Sequence, residues 1–167
     1  MIPLRPAKIF ALTCALSLLS ACGFTPLHNA ATNSNFGDIA IDVTEGVDSG
    51  DKEAGFFVLQ RLRDRIGHNS GKHILKLDPL LKRDGFGISA DDVTTRYDST
   101  LSVRYSLIEA SSGDVLTSGD VESTTTYAAP FDPFALDSVD NNALQQNAKD
   151  VADRLLLKLA SYYANSQ

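Results

Sequence analysis

Cysteine is nearly absent from this chain. Its 167 residues hold two, Cys14 and Cys22, which rules out a disulfide framework and leaves packing to stabilise whatever folds. Basic residues are scarce as well: 15 Lys and Arg stand against 21 Asp and Glu, a net charge of −6. An acidic chain of this kind repels nucleic acid and offers no basic face to a phosphate backbone. No hydrophobic run is long enough to span a bilayer, since the uncharged stretch from Ile9 to Leu19 falls well short of the roughly 20 residues required. Histidine appears three times, as His28, His68 and His73, with no HExxH and no ligand-spaced pair, so no metal site is expected. There is no GxSxG nucleophile elbow. Gly85-Phe86-Gly87 is a bare GxG without the strand-to-helix context of a nucleotide loop. Asp91 and Asp92 are adjacent carboxylates whose side chains point apart on most backbones. No set of residues converges on catalysis, and neither an enzyme nor a bound cofactor is expected.

What is present begins with the first two dozen residues. Arg5 and Lys8 precede the apolar run, which ends in Leu19-Ser20-Ala21-Cys22. A positive start, a short apolar stretch and small residues before a cut are the parts of a signal peptide. Ending on cysteine, this one resembles the bacterial lipobox, in which the thiol is acylated before cleavage and small side chains fit the peptidase. The expectation is a leader over 1–21, a covalent acyl lipid at Cys22, a tether over 22–37 and a single domain over 38–167. Two or more acyl chains hold a protein firmly to a membrane at about 0.8 kcal/mol per buried methylene. Gly23 follows the cysteine in place of the Asp that resembles an inner-membrane retention signal. The expected residence is therefore the periplasmic side of the outer membrane. Cleavage removes two cations and no acids, leaving thirteen against twenty-one and a charge of −8.

The domain reads as α+β. Ile39, Ile41 and Val43 alternate over a first strand near Asp38 to Val43. Ser49 or Asp51 can cap a helix whose apolar face runs through Phe56, Leu59, Leu62 or Arg63, and Ile66. Arg61, Arg63 and Arg65 fall on its solvated side. Residues 73–89 are extended, with an interruption or bulge expected at Pro79 and Gly85-Phe86-Gly87. Leu101 to Glu109 alternates strongly, Ser111-Ser112-Gly113-Asp114 is a hairpin turn, and Val115 to Tyr127 alternates again. Ala128 to Val139, with Pro130 and Pro133, reads as a loop. Asp140 or Asn141 then caps a final helix through Leu144, Ala148, Val151, Leu155, Leu159 and Tyr162, with Asn142, Gln145, Lys149 and Asp153 facing away. The order implies an antiparallel or mixed sheet of about four strands covered on one face by two helices.

Two groups of residues could form a binding surface. Lys76, Lys82, Arg83, Arg96 and Arg104 lie on or beside strands. On one sheet edge they could contact lipid phosphates, although basic residues there serve equally to deter strand pairing. Tyr127, Phe131 and Phe134 surround the proline loop. They read as core plugs closing the turn into the helix or, as the alternative, as anchors for a partner.

The segment Cys22-Gly23-Phe24-Thr25-Pro26-Leu27 resembles the start of the lipopolysaccharide-assembly lipoprotein LptE as found in alphaproteobacteria. The strand Leu101 to Ile108, the polar strand ending at Thr126-Tyr127 and the helix around Ala148 to Leu155 extend that resemblance over most of the mature chain. The family implies a protein without catalysis that plugs the outer-membrane β-barrel LptD, helps assemble it and aids lipopolysaccharide transport to the outer leaflet. Lys82, Arg83, Arg96 and Arg104 become the candidate lipopolysaccharide contacts, and Tyr127, Phe131 and Phe134 the candidate partner interface. Residues 127–148 hold no Lys or Arg, unlike relatives that use basic residues before the last helix. The resemblance therefore implies barrel plugging more firmly than direct lipopolysaccharide binding. The other class consistent with a lipobox and a small α+β domain is an auxiliary lipoprotein of a periplasmic lipid transporter. That reading predicts a sizeable apolar cavity between sheet and helices.

Overall fold

The computed structural model describes residues 36–44, 46, 48–66, 71–88 and 94–166. The lipobox, His28, His68 and Asp91-Asp92 lie outside them. Four strands and two long helices follow one another as β1 (Ile39–Val43), α1 (Ser49–Ile66), β2 (His73–Ile88), β3 (Thr94–Glu109), β4 (Val115–Ala128) and α2 (Pro133–Asn165). The strands lie in sequence order in one mixed sheet, with β1 parallel to β2 and the other pairs antiparallel. Both helices cover the same face, as the alternation implied.

Strand periodicity decides which residues meet the helices. His73, Leu75, Leu77, Pro79 and Leu81 of β2 line up with Leu107, Tyr105, Val103 and Leu101 of β3 and with Val121 and Ser123 of β4 on the covered face. Leu75, Leu77, Leu101, Val103 and Leu107 are all within 1% of complete burial. Each such side chain contributes roughly 1.5–3 kcal/mol. Against them lie Val58 and Leu62 of α1 and Val151, Leu155 and Leu159 of α2.

Helix α1 buries Leu62 and Ile66 as the spacing suggested, but its first half turns a different side inward. Asp51, Ala54, Gly55, Val58, Leu62 and Ile66 are buried, while Phe56 is exposed. The reason is proximity. A Cβ on Gly55 would come within 3.0 Å of Val43 and 3.2 Å of Pro79, so the helix approaches the sheet along its small residues and its phenylalanine is left outside. Arg61 is also drawn in, bridging to Asp153 of α2 at 3.1 Å, whereas Arg63 and Arg65 remain exposed.

Strand β2 runs unbroken through Pro79. His73 donates its N–H to Asp38 on the β1 side, and alternate residues share that direction, so Pro79 lacks only an N–H aimed where β1 has already ended. The irregularity sits at Gly87, with φ +74°. The 111–114 turn is as expected: Gly113 adopts φ +82°, a conformation glycine accepts without strain, and donates to the Glu109 carbonyl.

The stretch 128–139 is mostly helix. Asp132 caps α2 by accepting from the Phe134 N–H at 3.0 Å, with Pro133 in the first turn. Proline is suited to that position because its missing N–H would have no partner there and its φ is already helical. Asp140 and Asn141 are consequently internal to the helix rather than its cap. The apolar stripe from Leu144 to Leu159 is buried as expected, joined by Tyr163.

Candidate interaction surface

The opposite face of the sheet carries no helix among the described residues. Register places Lys76, Ser106 and Ser118 in one row across it, Asp78, Arg104 and Asp120 in the next, and then Leu80, Ser102 and Glu122. Lys82, Thr100 and Thr124 follow, then Asp84, Asp98 and Thr126, and finally Phe86, Arg96 and Ala128. Neighbouring strands tie these side chains together. Thr100 and Thr124 hydroxyls meet at 2.9 Å, Ser102 donates to Glu122 at 2.9 Å, and Thr126 donates to Asp98 at 2.5 Å. The face is thus a hydrogen-bonded polar surface broken by exposed Leu80 and Phe86. Cross-strand pairs of this kind each add a few tenths of a kcal/mol and hold the side chains in fixed positions.

The candidate lipopolysaccharide contacts do not share one face. Lys82, Arg96 and Arg104 stand on the open side, and Arg83 points to the helix side. There Arg83 pairs with Asp140, which also accepts a hydrogen bond from the Tyr127 hydroxyl at 2.5 Å. Arg104 lies between two carboxylates, 3.7 Å from Asp78 and 3.5 Å from Asp120. Lys82 reaches Asp84 at 2.8 Å. That hydrogen bond, and then the carboxylate's charge, raise the ammonium's pKa. A phosphate would have to compete with these acids, so the basic side chains are weaker anion sites than their number suggests.

Tyr127, Phe131 and Phe134 differ in exposure. Tyr127 is buried and stacks on Tyr97 at a centroid distance of 5.8 Å. Burial first, and then the bond to Asp140, push its hydroxyl pKa upward. Phe131 and Phe134 are 97% and 84% exposed and plug nothing, because the early start of α2 turns the chain at Asp132 before either ring can reach the core. Two residues whose burial the sequence does not announce matter more to the architecture. Asn147 of α2 donates to the Ser99 carbonyl at 2.7 Å and accepts from Thr125 at 2.8 Å. Asp51 accepts from the Leu81 N–H at 2.8 Å. The polar open face itself was legible, since every even position over 98–106 and 118–126 is polar.

The layer between sheet and helices holds the buried core. The described residues leave no buried side-chain polar atom unpartnered. Their clearest hollows are surface grooves, one of about 390 Å³ around Asp78, Arg104 and Asp120 and one of about 560 Å³ between β4 and α2. No group of His, Cys, Asp and Glu among them could hold a metal, and no helix among them is long and apolar enough to cross a membrane.

A sheet open on one polar face and closed by two helices on the other has known counterparts, and the LptE lipopolysaccharide-assembly profile matches residues 39–159, from β1 into the last turns of α2. The chain belongs to the LptE family. Among solved structures, this LptE-family chain is similar to a candidate lipoprotein from Caulobacter crescentus, with 22% identity, TM-score 0.65 and coverage of 83% of this chain and 98% of that one. Rare lipoprotein B from Shewanella oneidensis shares the fold at 16% identity and TM-score 0.57, covering 76% of this chain and 96% of that one. A minor lipoprotein from Acinetobacter baumannii does so at 9% identity and TM-score 0.58, covering 75% and 92%. No curated protein matches. LptE proteins are lipoproteins without catalysis, and their family role is lipopolysaccharide assembly.

Proposed function

We propose that this LptE-family chain is an outer-membrane lipoprotein that plugs and helps assemble the LptD barrel for lipopolysaccharide transport to the outer leaflet. The carrying observation is the match over residues 39–159, which takes in both the open sheet face and the helices behind it. The physical character of that face supports the reading. The lumen of a large barrel is polar, and a plug needs a rigid polar surface with satisfied hydrogen bonds rather than an apolar patch. The Thr100–Thr124, Ser102–Glu122 and Asp98–Thr126 pairs supply one.

In this proposal residues 1–21 are a cleaved leader, Cys22 carries the acyl lipid and 22–37 tether the domain on the periplasmic side. The anchor keeps the domain beside its membrane partner at high effective concentration. Of the four candidate contacts Arg96 is the best placed to meet a lipopolysaccharide phosphate, because no carboxylate among the described residues pairs with it, unlike Lys82, Arg83 and Arg104.

The test is co-purification from detergent-solubilised outer membrane with a tag at the C-terminus, leaving Cys22 free. A stoichiometric large β-barrel in the eluate is expected, together with a fall in correctly folded barrel when the chain is depleted. Normal barrel folding without the chain would overturn the proposal.

A further inference from the structure

Among the described residues, the two outer edges of the sheet are treated differently. On the β2 side, β1 pairs with His73 to Leu77, Pro79 has no N–H to offer, and the buried Asp51 carboxylate takes the Leu81 N–H. These are the devices by which proteins keep a strand edge from pairing with other chains. On the other side, β4 runs from Val115 to Ala128 as the last strand in the sheet. It contains no proline, lysine or arginine, and its register with β3 is regular from Thr117 to Ala128.

The direction of its backbone groups follows from the ladder. His73 donates toward β1, so even residues of β2 face β3, odd residues of β3 face β4, and odd residues of β4 face back. Asp120, Glu122, Thr124 and Thr126 therefore direct their N–H and C=O groups away from the sheet. An independent contact agrees, because the Arg154 guanidinium reaches the Glu122 carbonyl from outside. Alongside this edge lies the groove of about 560 Å³, walled by Asp120, Val121 and Glu122 on β4 and by Arg154, Leu157 and Lys158 on α2. Leu157 is 49% exposed there.

We propose that the β4 edge and this groove receive an extended polypeptide segment of the partner, adding a fifth strand to the sheet. Only a strand satisfies a row of alternating outward N–H and C=O groups. A second copy of this chain fits poorly, since antiparallel pairing centred on the groove sets Asp120 and Glu122 against their own copies. The segment that fits carries Lys, Arg or hydroxyl side chains opposite Asp120 and Glu122. On alternate positions it carries aliphatic side chains that cover Leu157. Its backbone displaces Arg154 from the Glu122 carbonyl. The inference rests on the proposed function for its source. A closed barrel has no free strand of its own, so the segment comes from a loop or tail of the barrel protein.

The experiment is amide-resolved hydrogen exchange on the full lipidated chain in detergent, free and as purified from outer membrane. In the free chain Val121, Ser123 and Thr125 are protected and Asp120, Glu122, Thr124 and Thr126 exchange quickly. In the complex the even amides are expected to slow at least about 100-fold, in the strand-pairing pattern. Thr124→Pro removes one outward N–H together with the hydroxyl bond to Thr100, and no backbone bond to β3. Thr124→Val removes the hydroxyl alone, so the complex yield of Thr124→Pro is expected to fall well below that of Thr124→Val at a matching thermal midpoint. A barrel complex whose even amides exchange as in the free chain, or a Thr124→Pro yield no lower than that of Thr124→Val, overturns the edge. Strand-pattern protection by a protein other than a barrel keeps the edge and sinks the barrel. A chain that purifies alone with unprotected even amides overturns both.

Discussion

Asn147 is the residue whose loss should be felt most for its size. It is fully buried on α2, donating to the Ser99 carbonyl at 2.7 Å and accepting from the Thr125 hydroxyl at 2.8 Å. It ties α2 to β3 and β4 at once from within the helix–sheet interface. Asn147→Ala removes both bonds, at about 1 kcal/mol each in net terms. The missing carboxamide leaves a small cavity costing about another 1 kcal/mol. The sum, about 3 kcal/mol, is a large share of a domain's stability. Urea unfolding of the Cys22→Ser domain reads it as a lower midpoint at unchanged slope. The Thr125→Val background separates the terms, because the Asn147–Thr125 bond is then already gone and Asn147→Ala should cost about 1 kcal/mol less. A loss below about 0.5 kcal/mol in the single variant would refute the view that this clamp fixes the helix on the sheet.

Other consequences follow from contacts already described. Asp51→Ala strips the carboxylate from the Leu81 N–H and should cost about 1–3 kcal/mol, with increased self-association by light scattering as the β2 edge opens; an unchanged unfolding midpoint would count against the capping role. Burial first, and then the negative charges of Tyr162, Asp38 and Glu109, push the Tyr163 hydroxyl up to about 12 from its ordinary 10.0. The unfolded chain sheds that proton near pH 10 while the folded chain keeps it to about 12. The stabilisation is therefore complete below pH 10 and lost as pH rises toward 12. Tyr163→Phe should flatten the fall in urea midpoint over that window, and identical pH profiles for the two proteins would contradict it. Phe131→Ser and Phe134→Ser should each change stability by less than about 0.5 kcal/mol, because both rings stand in solvent; a clear fall in thermal midpoint would show that they pack after all.

Alternation made the sheet legible from sequence, and a long apolar stripe made α2 so. Leu101, Val103, Tyr105 and Leu107 need no knowledge of their partners to declare a buried face. The first half of β3 was missed because Arg96 to Thr100 sets Tyr97 and Ser99 on the helix side, too polar a pair to mark an inward face. The start of α2 was hidden by two prolines, one of which begins the helix instead of breaking it. Distant register decided the rest. Whether Arg83 and Arg104 share a face depends on counting parity through β2 and β3, and a single residue's slip would exchange their sides. Asn147 and Asp51 could not be picked out as buried, since polar residues on a helix look solvated until the sheet opposite is known.

The strands lie side by side in the order in which the ribosome makes them, and α2 comes last. Each strand can zip onto its predecessor as it emerges, so pairing needs little long-range search. Covering is another matter. Val103, Leu107 and Val121 wait for Val151, Leu155 and Leu159, which pack on them from the final helix. Until those last turns arrive α1 covers only the β1–β2 side, the apolar face of β3 and β4 stays open, and it is then that the chain is most open to aggregation. A ribosome stalled near Asp140 would release a complete sheet with half its lid, so the last helix governs whether the rest survives.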